Sequence, residues 1–255
     1  MTTIDQIDAF DPHERIKPNL KKESDEYYVL ATLRYYNHER FKDWRHDDAP
    51  DLQKSDYSDG IEVTTIEEGE SDFQFQCIRN EMKKDNKSEK KISKAKEIIH
   101  KNGKEINCIS INGNKIYGLM EGGTSNSVIT AISKAIESKR EKITNYKNKC
   151  QKIGLAIIVE SITITDADLE PALNFPNSVP DKPQFDAIYI LTNSELIIFD
   201  NQEKKKIRVG IPKCVRLRIK KISRMTAEKR ILLSDPIWNS IHHLGVTDSS
   251  GDCSV

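Results

Sequence analysis

The spacing of hydrophobic side chains divides the chain into helix-like and strand-like segments. Over residues 24–42 hydrophobic side chains recur at helical intervals, at Tyr27, Leu30, Ala31, Leu33 and Tyr35. Ser24 precedes two acidic residues, an arrangement typical of a helix N-cap followed by acids that favour the positive end of the helix dipole. We therefore predict a helix over about 24–42, behind a polar N-terminal arm over 1–23.

A strand-like pattern follows this helix. Pro50 restricts the next element to a strand start, and a short strand over 52–55 leads to a turn at 57–60. Residues 60–66 are β-branched and read as a strand. A period of two places Ile61 and Val63 on one face of that strand and Glu62 with Thr64 on the other.

The second half of the chain also mixes both types. A hairpin is predicted over 106–119 around Asn112-Gly113, and the longest helix over 125–150. Further predicted strands are 155–159, which is apolar on both faces, 187–191, 195–199, 207–209 and 215–219. A last helix is predicted over 226–233, before a polar tail. This order predicts an α/β (α+β) domain of three layers, with a central β-sheet flanked by helices.

Composition narrows the function classes. The chain has 255 residues and a net charge of +0, so an overall basic surface for nucleic acid is excluded and basic patches must be local. No N-terminal signal and no membrane-length apolar run is present, so we expect no membrane partner. Five scattered cysteines indicate reduced thiols in a cytoplasmic protein, and neither they nor the six histidines show the spacing of a zinc site.

One local basic patch lies in an insertion over about 77–120, predicted as a helix followed by the hairpin. Residues 79–104 hold ten Lys or Arg against four acids. We predict that its lysines contact nucleic-acid phosphates: Lys83, Lys84, Lys87, Lys90, Lys91 and Lys94. A second basic run lies between 204 and 230. The alternative is an ordinary solvated surface, which a highly charged chain also produces.

The acids around the short strands carry the candidate chemistry. If the strand that begins near Asp51 pairs with 60–66, the Asp51 and Glu62 carboxylates come close together. Two half-buried carboxylates repel unless a cation or a proton intervenes, and hard oxygen ligands suit Mg²⁺. Such a site serves phosphodiester hydrolysis. The alternative is that these acids are solvated turn and surface residues.

The stretches Ala49-Pro50-Asp51-Leu52 and Gly60-Ile61-Glu62-Val63-Thr64 resemble the motif of the PD-(D/E)XK nuclease superfamily. The resemblance covers about residues 24–200. It implies a restriction-endonuclease-like fold with a central mixed sheet, here a nuclease-like domain over 24–223 followed by a C-terminal helix and flexible tail over 224–255. It also implies that Asp51, Glu62 and the Val63 backbone carbonyl bind Mg²⁺ (or Mn²⁺).

The chain departs from this motif at Thr64, where the family has a lysine that orients the attacking water and stabilises developing charge. Lys139 and Lys142 on the predicted long helix are the replacements we expect, with Lys139 favoured. The alternative is that both lie on a solvated helix face. The family often adds an acid from its first helix, and Glu26, or Glu23 in its place, fits that role; both could instead complement the helix dipole.

Two functions follow from the resemblance. One is a metal-dependent DNA endonuclease that acts in restriction or another defence against foreign DNA, with a homodimer as a mild expectation. The other is a catalytically inactive relative that binds nucleic acid or a protein partner, favoured by Thr64. A metal-free Ser or Cys enzyme lacks any supporting motif.

Overall fold

The computed structural model describes residues 4–10, 16–66, 106–112, 115–120, 125–159, 169 and 183–244. Its helices are α1 (Ile4–Asp8), α2 (Pro18–Tyr36), α3 (His38–Phe41), α4 (Ser125–Arg140), α5 (Ile143–Tyr146), α6 (Lys213–Ala227) and α7 (Pro236–Asn239), and a 3-10 turn spans Ile241–His243. Its strands are β1 (Trp44–His46), β2 (Leu52–Lys54), β3 (Asp59–Ile66), β4 (Ile106–Asn112), β5 (Lys115–Met120), β6 (Lys152–Val159), β7 (Ala187–Leu191), β8 (Glu195–Asp200) and β9 (Lys205–Gly210).

Seven of these strands form one mixed sheet, in the order β1-β2-β3-β6-β7-β8-β9. The central pairs β3–β6 and β6–β7 are parallel, and the outer pairs are antiparallel. The chain therefore runs through a short meander at one edge, crosses over to β6, and finishes with a second meander. The predicted α+β class with a central mixed sheet is confirmed.

Each face of the sheet is covered by helices because the strand side chains alternate between two hydrophobic cores. Ile61 and Val63 of β3 point into the core beneath α2 and α6, together with Ala156 and Ile158 of β6. The intervening β6 side chains point into the opposite core, beneath α4 and α5, where Leu155 and Ile157 are fully buried. Burying one side chain of this size stabilises the fold by about 1.5–3 kcal/mol. The predicted alternation in β3 therefore places Glu62 on the α4–α5 side.

The start of β3 packs closely against Pro50, in the segment before β2. A Cβ atom on Gly60 would lie 2.4 Å from Pro50 Cγ and 3.0 Å from Cys150 Sγ. Such a distance is far below van der Waals contact, so only glycine fits here. This packing brings the Pro50-Asp51 corner onto the start of β3.

The helix predicted over 24–42 corresponds to α2, which begins earlier than the hydrophobic pattern indicates. Helix α2 starts with Pro18 at its first turn and ends at Tyr36, so Ser24 is not an N-cap. Asn37 then begins α3, where its side chain accepts a hydrogen bond from the Arg40 N–H at 3.1 Å. Residues 18–23 are thus helical, and Ile7 and Phe10 are buried in the core. The predicted polar arm over 1–23 was wrong for these residues.

The long helix is divided. Helix α4 ends at Arg140, and the Lys142 N–H donates to the Lys139 carbonyl at 3.1 Å, which makes a tight turn before α5. The hairpin of β4 and β5 matches the prediction for 106–119 and forms a two-stranded antiparallel sheet. The predicted helix over 79–104 lies outside the described residues.

The C-terminal prediction was wrong in type. Residues 215–219, predicted as a strand, lie in α6, where Val215, Ile219 and Ile222 are fully buried at helical spacing. Pro212 precedes this helix, and the positive φ of Lys229 (58°) ends it by turning the chain. The predicted helix over 226–233 is therefore only the last two residues of α6 and the turn that follows. No helix among the described residues is long and apolar enough to cross a membrane.

Candidate active site

Asp51 lies at the corner where the chain enters β2. Strand β2 pairs with β3 only through Leu52–Ile61 and Gln53–Gly60. The Val63 N–H, which is the next N–H of β3 on the β2 side, therefore has no partner in β2. The Asp51 Oδ2 accepts a hydrogen bond from the Val63 N–H at 2.7 Å. Asp51 is only 2% exposed. The predicted approach of Asp51 to the Glu62 strand is thus present as a direct hydrogen bond.

Glu62 is equally buried, on the α4–α5 face of β3. Its Oε1 lies 2.7 Å from Lys139 Nζ and 3.2 Å from Lys142 Nζ. Its Oε2 accepts a hydrogen bond from the Tyr146 hydroxyl at 2.6 Å. Both predicted lysines therefore reach the motif carboxylate, Lys139 from the last turn of α4 and Lys142 from the turn between α4 and α5. Neither lies on a wholly solvated face.

Glu26 is the third buried carboxylate of this site, and we call Asp51, Glu62 and Glu26 the carboxylate cluster. It lies in the middle of α2 and is 3% exposed, so the alternative role at the positive end of the helix does not apply. Its Oε2 contacts His46 Nε2 at 2.5 Å, and its Oε1 lies 3.0 Å from Lys22 Nζ. Glu23, the predicted substitute, instead hydrogen-bonds Tyr27.

Lys22 joins two of these carboxylates. Its Nζ is 3.0 Å from Asp51 Oδ1 as well as 3.0 Å from Glu26 Oε1. One chain of contacts therefore runs from His46 through Glu26 and Lys22 to Asp51, and from Asp51 to the backbone of the strand that carries Glu62.

The two motif carboxyls differ in acidity. Burial, followed by repulsion from Glu62, raises the pKa of Asp51 from 3.8 to about 6. Burial opposes ionisation of Glu62 too, but hydrogen bonds from Lys139 and Tyr146 outweigh it and hold the pKa of Glu62 below 4.5. The cluster therefore holds one firmly ionised carboxylate, Glu62, and one that retains a proton more readily, Asp51.

The partners of Glu62 and Glu26 shift in the complementary direction. Burial and the bond to Glu62 raise the pKa of Tyr146 above its ordinary value of 10. The bond to Glu26 raises the pKa of His46 above 6.5. The hydroxyl thus stays a donor to Glu62, and His46 tends to carry a positive charge beside Glu26.

Sequence reasoning missed three residues that contact this cluster, namely Lys22, His46 and Tyr146. In the sequence, Tyr146 falls at a hydrophobic position of the predicted long helix, but its hydroxyl is polar and finds a buried partner in Glu62. Lys22 was assigned to the N-terminal arm; its i,i+4 spacing to Glu26 was the available signal. His46 lies in a strand of three residues, too short to show a pattern.

The predicted nucleic-acid contacts are described only in part. The lysines of the insertion, from Lys83 to Lys94, lie outside the described residues. Of the second basic run, Lys204, Lys205 and Lys206 are exposed near the start of β9. Arg218 of the same run is paired with Asp8 through two bonds of 3.0 Å and 2.8 Å.

A divalent cation fits the chemistry of the donors. Carboxylate and carbonyl oxygens are the ligands that Mg²⁺ prefers. Glu26 Oε1 is buried without a well-directed hydrogen bond, and an ammonium group already bridges it to Asp51. Among the described residues, no three His, Cys, Asp or Glu side chains are arranged as a ready metal site. In this arrangement lysine ammonium groups contact the carboxylates instead.

Comparison with protein-family models finds no match for this chain, and comparisons with curated proteins and with solved structures find none either. The class of the molecule is therefore defined by its own fold and site, an α+β domain with a seven-stranded mixed sheet and a buried cluster of three carboxylates.

Proposed function

We propose that this protein is a Mg²⁺-dependent DNA endonuclease of the restriction-endonuclease-like class. The observation that carries the proposal is the bond of the Asp51 carboxylate to the Val63 N–H, one residue from Glu62, together with Lys139 and Lys142 on the Glu62 carboxylate. Acid, acid and lysine are the three parts of the PD-(D/E)XK motif. Here the lysines come from a helix and the following turn rather than from position 64.

The order of elements supports the same class. Helix α2 precedes the Pro50-Asp51 corner, β3 carries Glu62, α4 and α5 pack over the sheet, and β6 then lies parallel to β3. This is the sequence of elements that the resemblance implies.

In the proposed reaction, Asp51, Glu62 and the Val63 carbonyl would hold Mg²⁺, and Glu26 would add a carboxylate on the Asp51 side. When bound, the ion would supply charge stabilisation at the scissile phosphate and help to activate water for the attack. Lys139 and Lys142 place positive charge next to Glu62, where they orient the attacking water and stabilise the charge that develops on the phosphate oxygens. Tyr146 holds the other Glu62 oxygen, so the carboxylate cannot rotate freely.

The test is cleavage of supercoiled and linear DNA in Mg²⁺ or Mn²⁺ by the wild type, Asp51→Asn and Glu62→Gln. We expect both variants to lose cleavage by about 100-fold or more, since each removes a charge on which the metal depends. Glu141→Gln is the matched control, because Glu141 is an exposed acid beside Lys142. Equal cleavage by all four proteins would indicate a contaminating nuclease and contradict the proposal.

The second candidate is a catalytically inactive protein that binds nucleic acid or a protein partner. It is favoured by Thr64 and by the engagement of both Glu62 oxygens with Lys and Tyr donors. This candidate predicts DNA binding, measured by fluorescence anisotropy, that is unchanged by EDTA and by Glu62→Gln. No cleavage with either metal, together with no heat of metal binding, would replace the nuclease by this candidate.

A further inference from the structure

Lys22 holds an unusual position for so exposed a side chain. Its side chain is 72% exposed, while the carboxylates that its ammonium group touches, on Asp51 and Glu26, are 3% and 4% exposed. The ammonium thus closes the solvent side of a buried acidic pair. The other oxygen of each acid is already engaged, with the Val63 N–H and with His46.

The two oxygens that face Lys22 are the ones left over for a cation. The Lys22 ammonium lies 3.0 Å from each of these oxygens and places its positive charge between them. Removing Lys22 without a substitute would leave two buried carboxylates facing each other, an arrangement that another cation must neutralise.

The same exposure makes the ammonium easy to displace. A lysine has a flexible four-carbon stem and its charge is strongly hydrated, so it regains water when it swings out of the pair. Asp51 and Glu26 do not have this freedom, since both are buried and held from their other oxygens. A cation that enters here meets a preformed pair of ligands and one mobile competitor.

We propose that Lys22 is a stand-in for a metal ion, occupying the position between Asp51 and Glu26 and leaving it when a divalent cation binds. This inference rests on the metal site of the proposed function and adds a residue that sets its affinity. Lys22 weakens metal binding, and its departure places a free ammonium group at the mouth of the site.

The test is isothermal titration calorimetry of Mn²⁺ and Mg²⁺ into the full-length chain at neutral pH, with thermal unfolding measured with and without metal. We expect Lys22→Met to bind metal at least about tenfold more tightly than the wild type, because a unit charge next to the ion is removed. The thermal shift on adding metal should grow accordingly. Lys22→Gln, which keeps a polar side chain without the charge, should also bind metal more tightly than the wild type. It replaces Lys22→Met in the test if the Met variant fails to fold.

Lys42→Met is the matched control, since Lys42 is a lysine in an exposed ion pair with Glu39. It should bind metal with wild-type affinity. Lys22→Arg retains the charge and should keep the weaker affinity. Neutral Lys22 variants that bind metal no more tightly than the wild type, or no detectable binding by any protein, would overturn the inference.

The outcomes separate this inference from the proposed function. Tighter metal binding by Lys22→Met without DNA cleavage by any protein would uphold the stand-in role and reject the nuclease. Metal-dependent cleavage that needs Glu62, with unchanged metal affinity in Lys22→Met, would uphold the nuclease and reject the stand-in role.

Discussion

The two ends of the carboxylate cluster neutralise buried charge in different ways. Glu62 receives three donors from one compact region, namely Lys139 at the end of α4, Lys142 in the turn that follows and Tyr146 of α5. Burial opposes the ionisation of Glu62, but these donors outweigh it and lower its pKa. Burial and the nearby charges of Glu62 and Glu26 raise the pKa of Asp51, and its two donors, the Val63 N–H and the Lys22 ammonium, are too few to reverse this. Burial is similar at the two ends. The number and charge of the neighbours decide which acid keeps its proton.

This difference gives the ends separate roles in the proposed site. At the Glu62 end, lysines of the protein already neutralise the carboxylate, and in the proposed reaction they act on the phosphate. The Asp51–Glu26 end is held by one exposed side chain and is the part that a metal ion can change. Experiments that remove charge from one end at a time should therefore give different results.

The largest effect is expected at the Glu62 end, on activity. Lys139 Nζ lies 2.7 Å from Glu62 with a 21% exposed side chain, whereas Lys142 lies at 3.2 Å and is 50% exposed. We expect Lys139→Met to lower kcat/KM for DNA cleavage by about 100-fold and Lys142→Met by about tenfold, because the better buried charge is less screened by solvent.

Single-turnover cleavage assays with Mg²⁺ measure both values, and Lys147→Met, an exposed lysine of the same region, is the control. Losses of equal size would show that the two lysines are equivalent and remove the distinction drawn from their geometry. Introducing Thr64→Lys into the Lys139→Met protein should restore part of the activity, since position 64 is where the motif carries its lysine.

A smaller effect is expected on stability, with opposite signs at the two ends. Asp51 has a pKa of about 6 in the folded chain and 3.8 as its ordinary value, so the folded state binds the proton more tightly. As pH rises from about 4 to about 6, the wild type should therefore lose about 2–3 kcal/mol relative to Asp51→Asn. Urea unfolding in EDTA at several pH values measures this difference.

Glu62 should show the reverse slope. Its folded pKa lies below 4.5, so its ionised form stabilises the fold above that pH, and the contribution is lost as pH falls through the folded pKa. The wild type should thus gain stability relative to Glu62→Gln as pH rises towards 4.5. Slopes of the same sign for both variants would contradict the assigned acidities.

The smallest effect is expected from the Tyr146 hydroxyl. Tyr146→Phe removes the donor to Glu62 Oε2 and leaves that buried oxygen without its bond, which should lower the free energy of unfolding by about 1–2 kcal/mol. Urea denaturation measures the loss. Tyr35→Phe, at a partly buried tyrosine of α2 outside this cluster, should change the stability by less than about 0.5 kcal/mol. Equal stability of Tyr146→Phe and the wild type would show that the hydroxyl bond does not hold Glu62.

The parts of this cluster that follow from local pattern were predictable. Only the short strand β2 and one turn separate Asp51 from β3, and the period of two in β3 decides the face of Glu62. Glu26, Lys139 and Lys142 were expected on the evidence of the motif, and helix packing brings them to it. Contacts between residues far apart in the sequence were predicted only where the motif indicated them.

The missed parts have physical reasons. Lys22 reaches Asp51 through a long, flexible side chain across 29 residues, and no periodicity encodes such a contact. In α6, charged residues alternate with apolar ones over 215–219, which imitates an exposed strand until the next buried residue, Ile222, restores helical spacing. Tertiary burial overrides the local preference in this segment.

The pairing of Glu62 with Leu155 across β3 and β6 has a consequence for how the sheet assembles. Sliding β3 by one residue would turn Glu62 into the apolar layer beneath α2 and bring Ile61 or Val63 opposite Lys139 and Lys142. The Glu62 carboxylate would then be buried in the hydrophobic core, and the two ammonium groups would face apolar side chains. A register shift of β3 against β6 is therefore strongly disfavoured. Glu62, which we propose as a metal ligand, therefore also helps to specify the register of β3 in the sheet.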